Sequence, residues 1–167
     1  MPRSYDFTVD SPASVEQIHS AFASRDYWRA RLSSFGGLGD LDSLTVDDDG
    51  AVTAVCVKDL RPDGLPGPAA KFFPREWRVV QSETWSPIGD GRVRGEVRLM
   101  SHGAPGSGSG SALLVPTRGG SRLKCNATVE FKVPLIGGQI ENVMGRSLVQ
   151  NISVLQQFTA DWIKANA

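Results

Sequence analysis

Residues Leu135 to Lys164, which read LIGGQIENVMGRSLVQNISVLQQFTADWIK, decide the fold that we expect for this chain. Their apolar side chains recur every three or four positions, and this spacing predicts one long amphipathic helix. Such a helix needs a second surface against which to bury its apolar stripe. The stripe, with Ser147 beside it, consists of Ile140, Met144, Leu148, Asn151, Leu155, Phe158 and Trp162.

The segment before this helix predicts an antiparallel sheet that supplies the second surface. In Arg122–Val133, the longest predicted strand, apolar and polar side chains alternate, as they do in a strand with one buried face. Asp49-Gly50 predicts a hairpin turn, the proline-rich residues 60–74 a loop, and the Gly/Ser-rich residues 103–110 a turn. The predicted strands are 3–9, 41–47, 51–58, 76–85, 92–100, 111–115 and 122–133.

Two short helices are predicted between the first and second strands. Ser14 and Gln17 have the spacing of a capping box at the start of the first helix. The expected buried faces are Val15, Ile18 and Phe22 in the first helix, and Trp28 and Leu32 in the second. Short connections favour antiparallel strands. Helices segregated from a run of strands indicate an α+β architecture, here a single domain over residues 1–167.

The composition excludes several classes of protein. The chain has 18 basic and 18 acidic side chains and no formal net charge, which argues against a dedicated nucleic-acid binder. No stretch reaches the roughly 18 apolar residues of a membrane-spanning helix, and the N-terminus has no apolar signal region. We therefore expect a cytoplasmic protein. In that compartment Cys56 and Cys125 are expected to be buried free thiols, and no metal site is expected.

Six motifs, taken with the order of elements, carry a family resemblance: Ser11–Gln17, Asp26–Trp28, Leu44–Gly50, Glu83–Trp85, Gly89–Val93 and Val133–Gly138. They resemble the START-like, or SRPBCC, superfamily, and within it a bacterial family of domains of unknown function. The resemblance implies the helix-grip fold, in which a curved, antiparallel seven-stranded sheet wraps around a long C-terminal helix. It also implies a hydrophobic pocket between helix and sheet, often for lipids, sterols or aromatic polyketides. It assigns no catalytic residue.

The first half of the predicted long helix carries small residues. Gly137, Gly138, Gly145 and Ser147 lie there, although a glycine inside a helix costs up to about 1 kcal/mol relative to alanine. One explanation is that these residues leave a cavity under this half of the helix. The other is that they allow close contact between helix and sheet.

The expected ligand-binding residues come from the helix, the strands and aromatic side chains in the loops. Phe72 and Phe73, adjacent in the proline-rich loop, could act as a lid. The full set is Phe35, Phe72, Phe73, Val97, Leu99, Leu114, Val129, Phe131, Ile140, Met144, Ser147, Leu148 and Asn151. Such residues suit a small hydrophobic or amphipathic ligand, and no cofactor is expected. The sequence leaves the oligomeric state open.

The predicted strand 76–85 leaves the orientation of its polar residues open. If its tryptophans face the interior of the sheet, Gln81 and Glu83 face the interior with them, because side chains alternate along a strand. If Glu83 instead lies opposite Arg94 across the hairpin, the two form an exposed ion pair that contributes about 0–1 kcal/mol. We expect the exposed pair, because buried carboxylates without a partner are rare.

The sequence contains no catalytic signature. His19 and His102 lack an adjacent carboxylate that would orient them, and there is no nucleophile elbow, phosphate-binding loop or dinucleotide fingerprint. The favoured hypothesis is a noncatalytic protein that binds a small apolar or amphipathic ligand. The alternatives are an enzyme of the cyclase, aromatase or dehydratase type with a polar group deep in the same cavity, and a protein-interaction module with a filled core.

Overall fold

The structure, a computed structural model, describes residues 3–34, 39–60, 71, 77–103, 106–130 and 137–167. Its strands form one seven-stranded sheet in which all neighbouring strands are antiparallel. They are β1 (Arg3–Ser11), β2 (Gly39–Val46), β3 (Val52–Leu60), β4 (Trp77–Gly89), β5 (Arg92–His102), β6 (Ser107–Thr117) and β7 (Gly120–Glu130). The order across the sheet is β1-β7-β6-β5-β4-β3-β2, so β2 to β7 form a meander and β1 pairs with its last strand.

Three helices in the described residues accompany the sheet. Helices α1 (Val15–Phe22) and α2 (Arg25–Ser34) follow β1, and α3 (Gly137–Ala165) follows β7. Helix α3 contacts β1, β7 and α1, while α2 contacts β2. This arrangement confirms the predicted α+β class, with two short helices after the first strand and a long C-terminal helix over an antiparallel sheet.

Local sequence signals account for several of these elements. The predicted capping box begins α1: Ser14 Oγ accepts a hydrogen bond from the backbone N–H of Gln17 at 3.1 Å, and Gln17 Oε1 accepts one from the N–H of Ser14 at 2.9 Å. Gly50 has a φ of +85° in the turn between β2 and β3, a conformation that glycine adopts without strain. Alternation along β1 leaves Tyr5, Phe7 and Val9 partly buried and their neighbours exposed, as predicted.

An aromatic cluster fixes the second half of α3 to α1 and α2. Tyr27 and Trp28 are fully buried, and the Trp28 indole N–H donates to the carbonyl oxygen of Phe22 at 2.7 Å. The ring of Tyr27 lies 5.4 Å from that of Trp162 and 6.1 Å from that of Phe158, both on α3. The part of α3 that carries Phe158 and Trp162 therefore packs against α2.

Strand β6 corrects one sequence interpretation. We expected a Gly/Ser turn to extend to residue 110, but β6 begins at Ser107, and Gly108 and Gly110 pair with Leu99 and Val97 of β5. The Gly/Ser composition suggested a turn because glycine is unfavourable in strands. Two flanking strands, β5 and β7, nevertheless hold this segment extended through their ladders.

No helix in the described part of the chain is long and apolar enough to cross a membrane.

Candidate functional site

A cavity of about 500 Å³ lies between α3 and the inner face of the sheet. That volume falls within the range of about 300–1,000 Å³ that is typical of small-molecule sites. Side chains from β3 to β7, from α1 and α2, and from the α3 segment between Leu148 and Thr159 line it, and Phe7 of β1 completes the wall. Most of the lining is apolar, but the two sides of the cavity differ in chemistry.

One side, which we call the polar side, consists of Arg31, Lys58, Gln81 and Glu83. The Glu83 carboxylate is its centre and is 3% exposed. Glu83 Oε2 accepts a hydrogen bond from Arg31 Nη2 at 2.7 Å and a second one from the Gln81 amide. Glu83 Oε1 accepts one from the indole N–H of Trp85 at 3.2 Å. Three donors therefore compensate the buried charge, as a stable buried carboxylate requires.

Arg31 is held from two directions. Besides its ion pair with Glu83, its guanidinium lies 4.6 Å above the ring centroid of Trp28, a cation–π contact. Burial has the largest single effect on the pKa of this guanidinium and lowers it, but the charge and hydrogen bond of Glu83, together with Tyr27 and Cys56, raise it, and the net shift is upward. Arg31 thus remains the counter-ion of Glu83.

Lys58 is the second cation of the polar side. Its ammonium donates to Gln81 Oε1 at 3.0 Å, so Gln81 bridges Lys58 to Glu83. Burial, followed by repulsion from Arg31, lowers the pKa of Lys58. No carboxylate in the described part of the chain lies within ion-pair distance of this ammonium.

Helix α3 adds polar groups above the same cavity. The Thr159 hydroxyl donates to the carbonyl oxygen of Leu155 at 2.9 Å, so the hydroxyl of Tyr27, 2.7 Å away, is the donor in their contact. Gln156 is 5% exposed and lines the cavity, and its Nε2 has no hydrogen-bond acceptor among the described residues. An unsatisfied buried donor is costly, and this one lies where a bound molecule could accept its hydrogen bonds.

The opposite side, which we call the glycine side, is formed by β5, β6 and β7. Gly108 and Gly110 of β6 lie between the apolar residues of its neighbours. A Cβ built on Gly108 would make ordinary van der Waals contacts with the described residues, the shortest 3.4 Å to Leu99 Cδ1, so the position has room for a methyl group. The side consists of Val97, Leu99, Gly108, Gly110, Ala127 and Val129.

The structure brings six of the predicted ligand-binding residues to this cavity and places the others as follows. The six are Val97, Leu99, Leu114, Val129, Leu148 and Asn151. Ser147 is exposed and is not part of the lining. Ile140 and Met144 belong to α3, but their side chains lie outside the described part of the structure, and Phe35, Phe72, Phe73 and Phe131 lie outside the described residues.

The expectation for Glu83 was wrong. Glu83 pairs in register with Val97, whereas Arg94 lies opposite Ser86 and forms an exposed ion pair with Glu96 at 3.7 Å. Glu83 faces inward with Trp85, where its carboxylate pairs with Arg31 of α2. Arg31 lies 52 positions earlier in the chain, so the local sequence around Glu83 does not reveal this partner. Neither Arg31 nor Lys58 was identified from the sequence, since nothing in their local pattern marks a partner on another element.

Of the two explanations for the helix glycines, close packing holds at Gly145. A Cβ on Gly145 would overlap the ring of Tyr5, and the Tyr5 hydroxyl donates to the carbonyl oxygen of Glu141 at 2.9 Å. The sheet therefore fills the space beside this glycine. The described α3 residues that line the cavity lie between Leu148 and Thr159.

Both cysteines are free and line the cavity, Cys56 beside the polar side and Cys125 beside the glycine side. Burial raises the pKa of the Cys125 thiol to about 12. Burial, and then the negative charge of Glu83, also raises the pKa of Cys56. Neither histidine is part of the lining, and the described residues contain no cluster of three metal-ligating side chains.

Comparison with solved structures supports the START-like helix-grip fold. A START superfamily protein from Mycobacterium smegmatis superposes with a TM-score of 0.51 at 13% identity, covering 99% of both chains. Norcoclaurine synthase from Thalictrum flavum superposes with a TM-score of 0.53 at 13% identity, covering 98% of this chain and 87% of the other. At this level of identity the likeness shows the fold alone.

Comparison of sequences gives the family. The chain is 35% identical over 173 residues to an uncharacterized protein of Mycobacterium tuberculosis, Rv0481c, and the match covers 99% of both chains. One family model, described as "Protein of unknown function (DUF2505)", matches residues 6–163. The chain therefore belongs to the DUF2505 family, with a START-like fold.

Proposed function

We propose that this protein binds a small hydrophobic or amphipathic molecule in the cavity between α3 and the sheet. The observation that carries the proposal is the cavity itself, about 500 Å³ of mostly apolar space bordered on one side by charged groups. Apolar walls with a few converging polar groups are the usual composition of a small-molecule site. The glycines at 108 and 110 support this function, because side chains at those positions would occupy the space.

The state of Glu83 favours binding over acid–base catalysis. A catalytic carboxylate must exchange a proton with its substrate, but both oxygens of Glu83 already accept hydrogen bonds from Arg31, Gln81 and Trp85. The network has the features of a fixed structural element at the cavity wall. The size of the cavity likewise disfavours a protein-interaction module whose core is filled.

A cavity-blocking variant tests the proposal directly. Leu148 lines the cavity, whereas Val154 lies on the same helix with 51% of its surface exposed. We expect Leu148→Trp to weaken binding of the neutral fluorescent probe N-phenyl-1-naphthylamine at least about tenfold, or about 1.4 kcal/mol. Val154→Trp should bind the probe as the native protein does.

Native mass spectrometry of protein purified from its own host provides the second readout. We expect a co-purified small molecule with the native protein and with Val154→Trp, and its loss with Leu148→Trp at an unchanged melting temperature. Equal probe affinity in the two tryptophan variants, or a native protein that binds neither probe nor co-purified molecule, would contradict the proposal.

A further inference from the structure

The cavity lining contains more positively charged side chains than negatively charged ones. Among the described lining residues, Arg31 and Lys58 are cationic and Glu83 is anionic, so the charged forms sum to one excess positive charge. Burial raises the pKa of Tyr27 and of both lining thiols, so these groups stay neutral near neutral pH. Glu83 neutralises Arg31 at 2.7 Å, which leaves the excess charge on Lys58.

Hydrogen-bond donors without an acceptor also lie at this cavity. An ammonium carries three donors, and the contact to Gln81 Oε1 accounts for one of the three in Lys58. The buried Nε2 of Gln156 on α3 has no acceptor among the described residues. By contrast, both Glu83 oxygens accept hydrogen bonds, and Gln81 Oε1 accepts from Lys58. Lys58 and Gln156 thus offer spare donors, whereas the acceptors of Glu83 and Gln81 on the polar side already have donors.

We propose that the preferred ligand is an amphiphile with one carboxylate, whose head group binds Lys58 and accepts from the Gln156 amide while its apolar part lies along the glycine side. This inference rests on the proposed binding function and adds the chemical class of the ligand. A single negative charge balances the excess charge of the lining. Hydrogen bonds between charged partners are about twice as strong as neutral ones, which makes the head group the determinant of specificity.

The test compares dodecanoate with 1-dodecanol, which have the same chain length but differ in the head group. Displacement of N-phenyl-1-naphthylamine at pH 7 gives the affinity of each. We expect dodecanoate to bind at least about tenfold more tightly than dodecanol, about 1.4 kcal/mol. Lys58→Met should abolish this preference and Lys58→Arg should retain it, because arginine keeps the charge. Lys124→Met, which removes an exposed lysine of β7, should leave the preference unchanged.

The melting temperatures of the Lys58 variants show whether a loss of dodecanoate binding reflects a lost ligand contact or a destabilised protein. Burial lowers the pKa of Lys58 in the folded protein below its value of 10.5 in the unfolded chain. At a pH below the folded-state pKa, the charged ammonium therefore destabilises the folded protein. This destabilisation disappears once the pH rises past 10.5, where the side chain is neutral in both states. Lys58→Met should therefore melt no lower than the native protein at pH 7. The titratable groups around Lys58 are Cys56 on β3, Glu83 on β4 and Arg31 on α2, and on β2 its neighbour is Gly39.

The pH dependence gives an independent readout. Dodecanoate affinity should fall as the pH rises through the pKa of Lys58, while dodecanol affinity should stay level over the same range. If the native protein binds both molecules equally, or if Lys58→Met keeps the preference for the acid, the carboxylate assignment is wrong while the binding function stands. If neither molecule displaces the probe and the probe itself does not bind, the binding function fails.

Discussion

The polar side and the glycine side are two walls of the same cavity, one built from long, hydrogen-bonded side chains and the other from small and aliphatic residues. On the polar side, Glu83 is 3% exposed and its carboxylate is surrounded by three donors. On the glycine side, two residues of β6 have no side chain, and a Cβ on Gly108 would meet nothing closer than 3.4 Å. The two walls therefore differ in how much of the interior their side chains occupy.

The difference shows how the protein keeps space inside without losing its fold. Filled regions pack at close to crystalline density and tolerate little change. A cavity persists when one wall consists of small residues and the side chains of the other wall are fixed by hydrogen bonds to one another. If this comparison is correct, removing atoms from the polar side should be costly, and adding an atom to the glycine side should be cheap.

Glu83→Ala is expected to have the largest effect. It leaves Arg31 buried without its counter-ion, and losing one partner of a buried pair costs about 3–5 kcal/mol. Chemical denaturation at pH 7 measures the loss. The matched control is Glu96→Ala, because the Arg94–Glu96 pair has side chains that are 60% and 58% exposed. Its loss should stay below about 1 kcal/mol.

A double variant sharpens that measurement. Replacing both partners, as in Arg31→Met with Glu83→Leu, removes the unpaired charge and should recover most of the stability lost in Glu83→Ala. If Glu83→Ala costs no more than Glu96→Ala, the polar side is not a filled region and the comparison fails.

Gly145→Ala is the second prediction, and it tests whether a helix glycine belongs to the filled part. Its Cβ would overlap the Tyr5 ring, so we expect a loss of about 1–3 kcal/mol, near the upper end of this range. Gly138→Ala is the control, because the nearest atom to its Cβ would be Arg3 Nη2 at 3.6 Å. The stability of Gly138→Ala should stay within about 1 kcal/mol of native.

A double-mutant cycle with Tyr5→Ala identifies the clash as the cause. Once the ring is absent, Gly145→Ala should cost little, which gives a coupling free energy of the size expected for residues in contact. An alanine at 145 that costs nothing in the native background would instead mean that space remains under the first half of α3.

Much of the fold was predictable, because its strongest signals are local. Alternation predicted the buried faces of β1 and β7, the Ser14–Gln17 pair predicted the start of α1, and Asp49-Gly50 predicted the first hairpin. These features depend on residues close together in the chain, where spacing carries the information.

The site was less predictable, because it depends on pairing between distant elements. A one-residue change in register would turn Glu83 outward, and the partner that stabilises its inward position lies on α2. The glycines of β6 were misread because their composition favours a turn, and only the ladders to β5 and β7 make the segment a strand. Val97, Leu99 and Val129 were among the expected ligand-binding residues, and the cavity lining contains all three.

Gly108→Ala should have the smallest effect and the opposite sign. Glycine within a strand costs roughly 0.5–1 kcal/mol relative to alanine, and the new methyl group would have ordinary contacts, 3.4 Å to Leu99 Cδ1 and 3.7 Å to the carbonyl oxygen of Thr128. We therefore expect a stabilisation of up to about 1 kcal/mol, measured by chemical denaturation.

Gly95 on β5 provides the contrast within the same sheet. Its Cβ would overlap the ring of Trp85, which occupies the space above it, so Gly95→Ala should destabilise the protein by about 1–3 kcal/mol. Opposite signs for two identical substitutions on adjacent strands would locate the border between filled and empty interior. If both alanines destabilise equally, Gly108 is packed as tightly as Gly95 and the glycine side does not border a cavity.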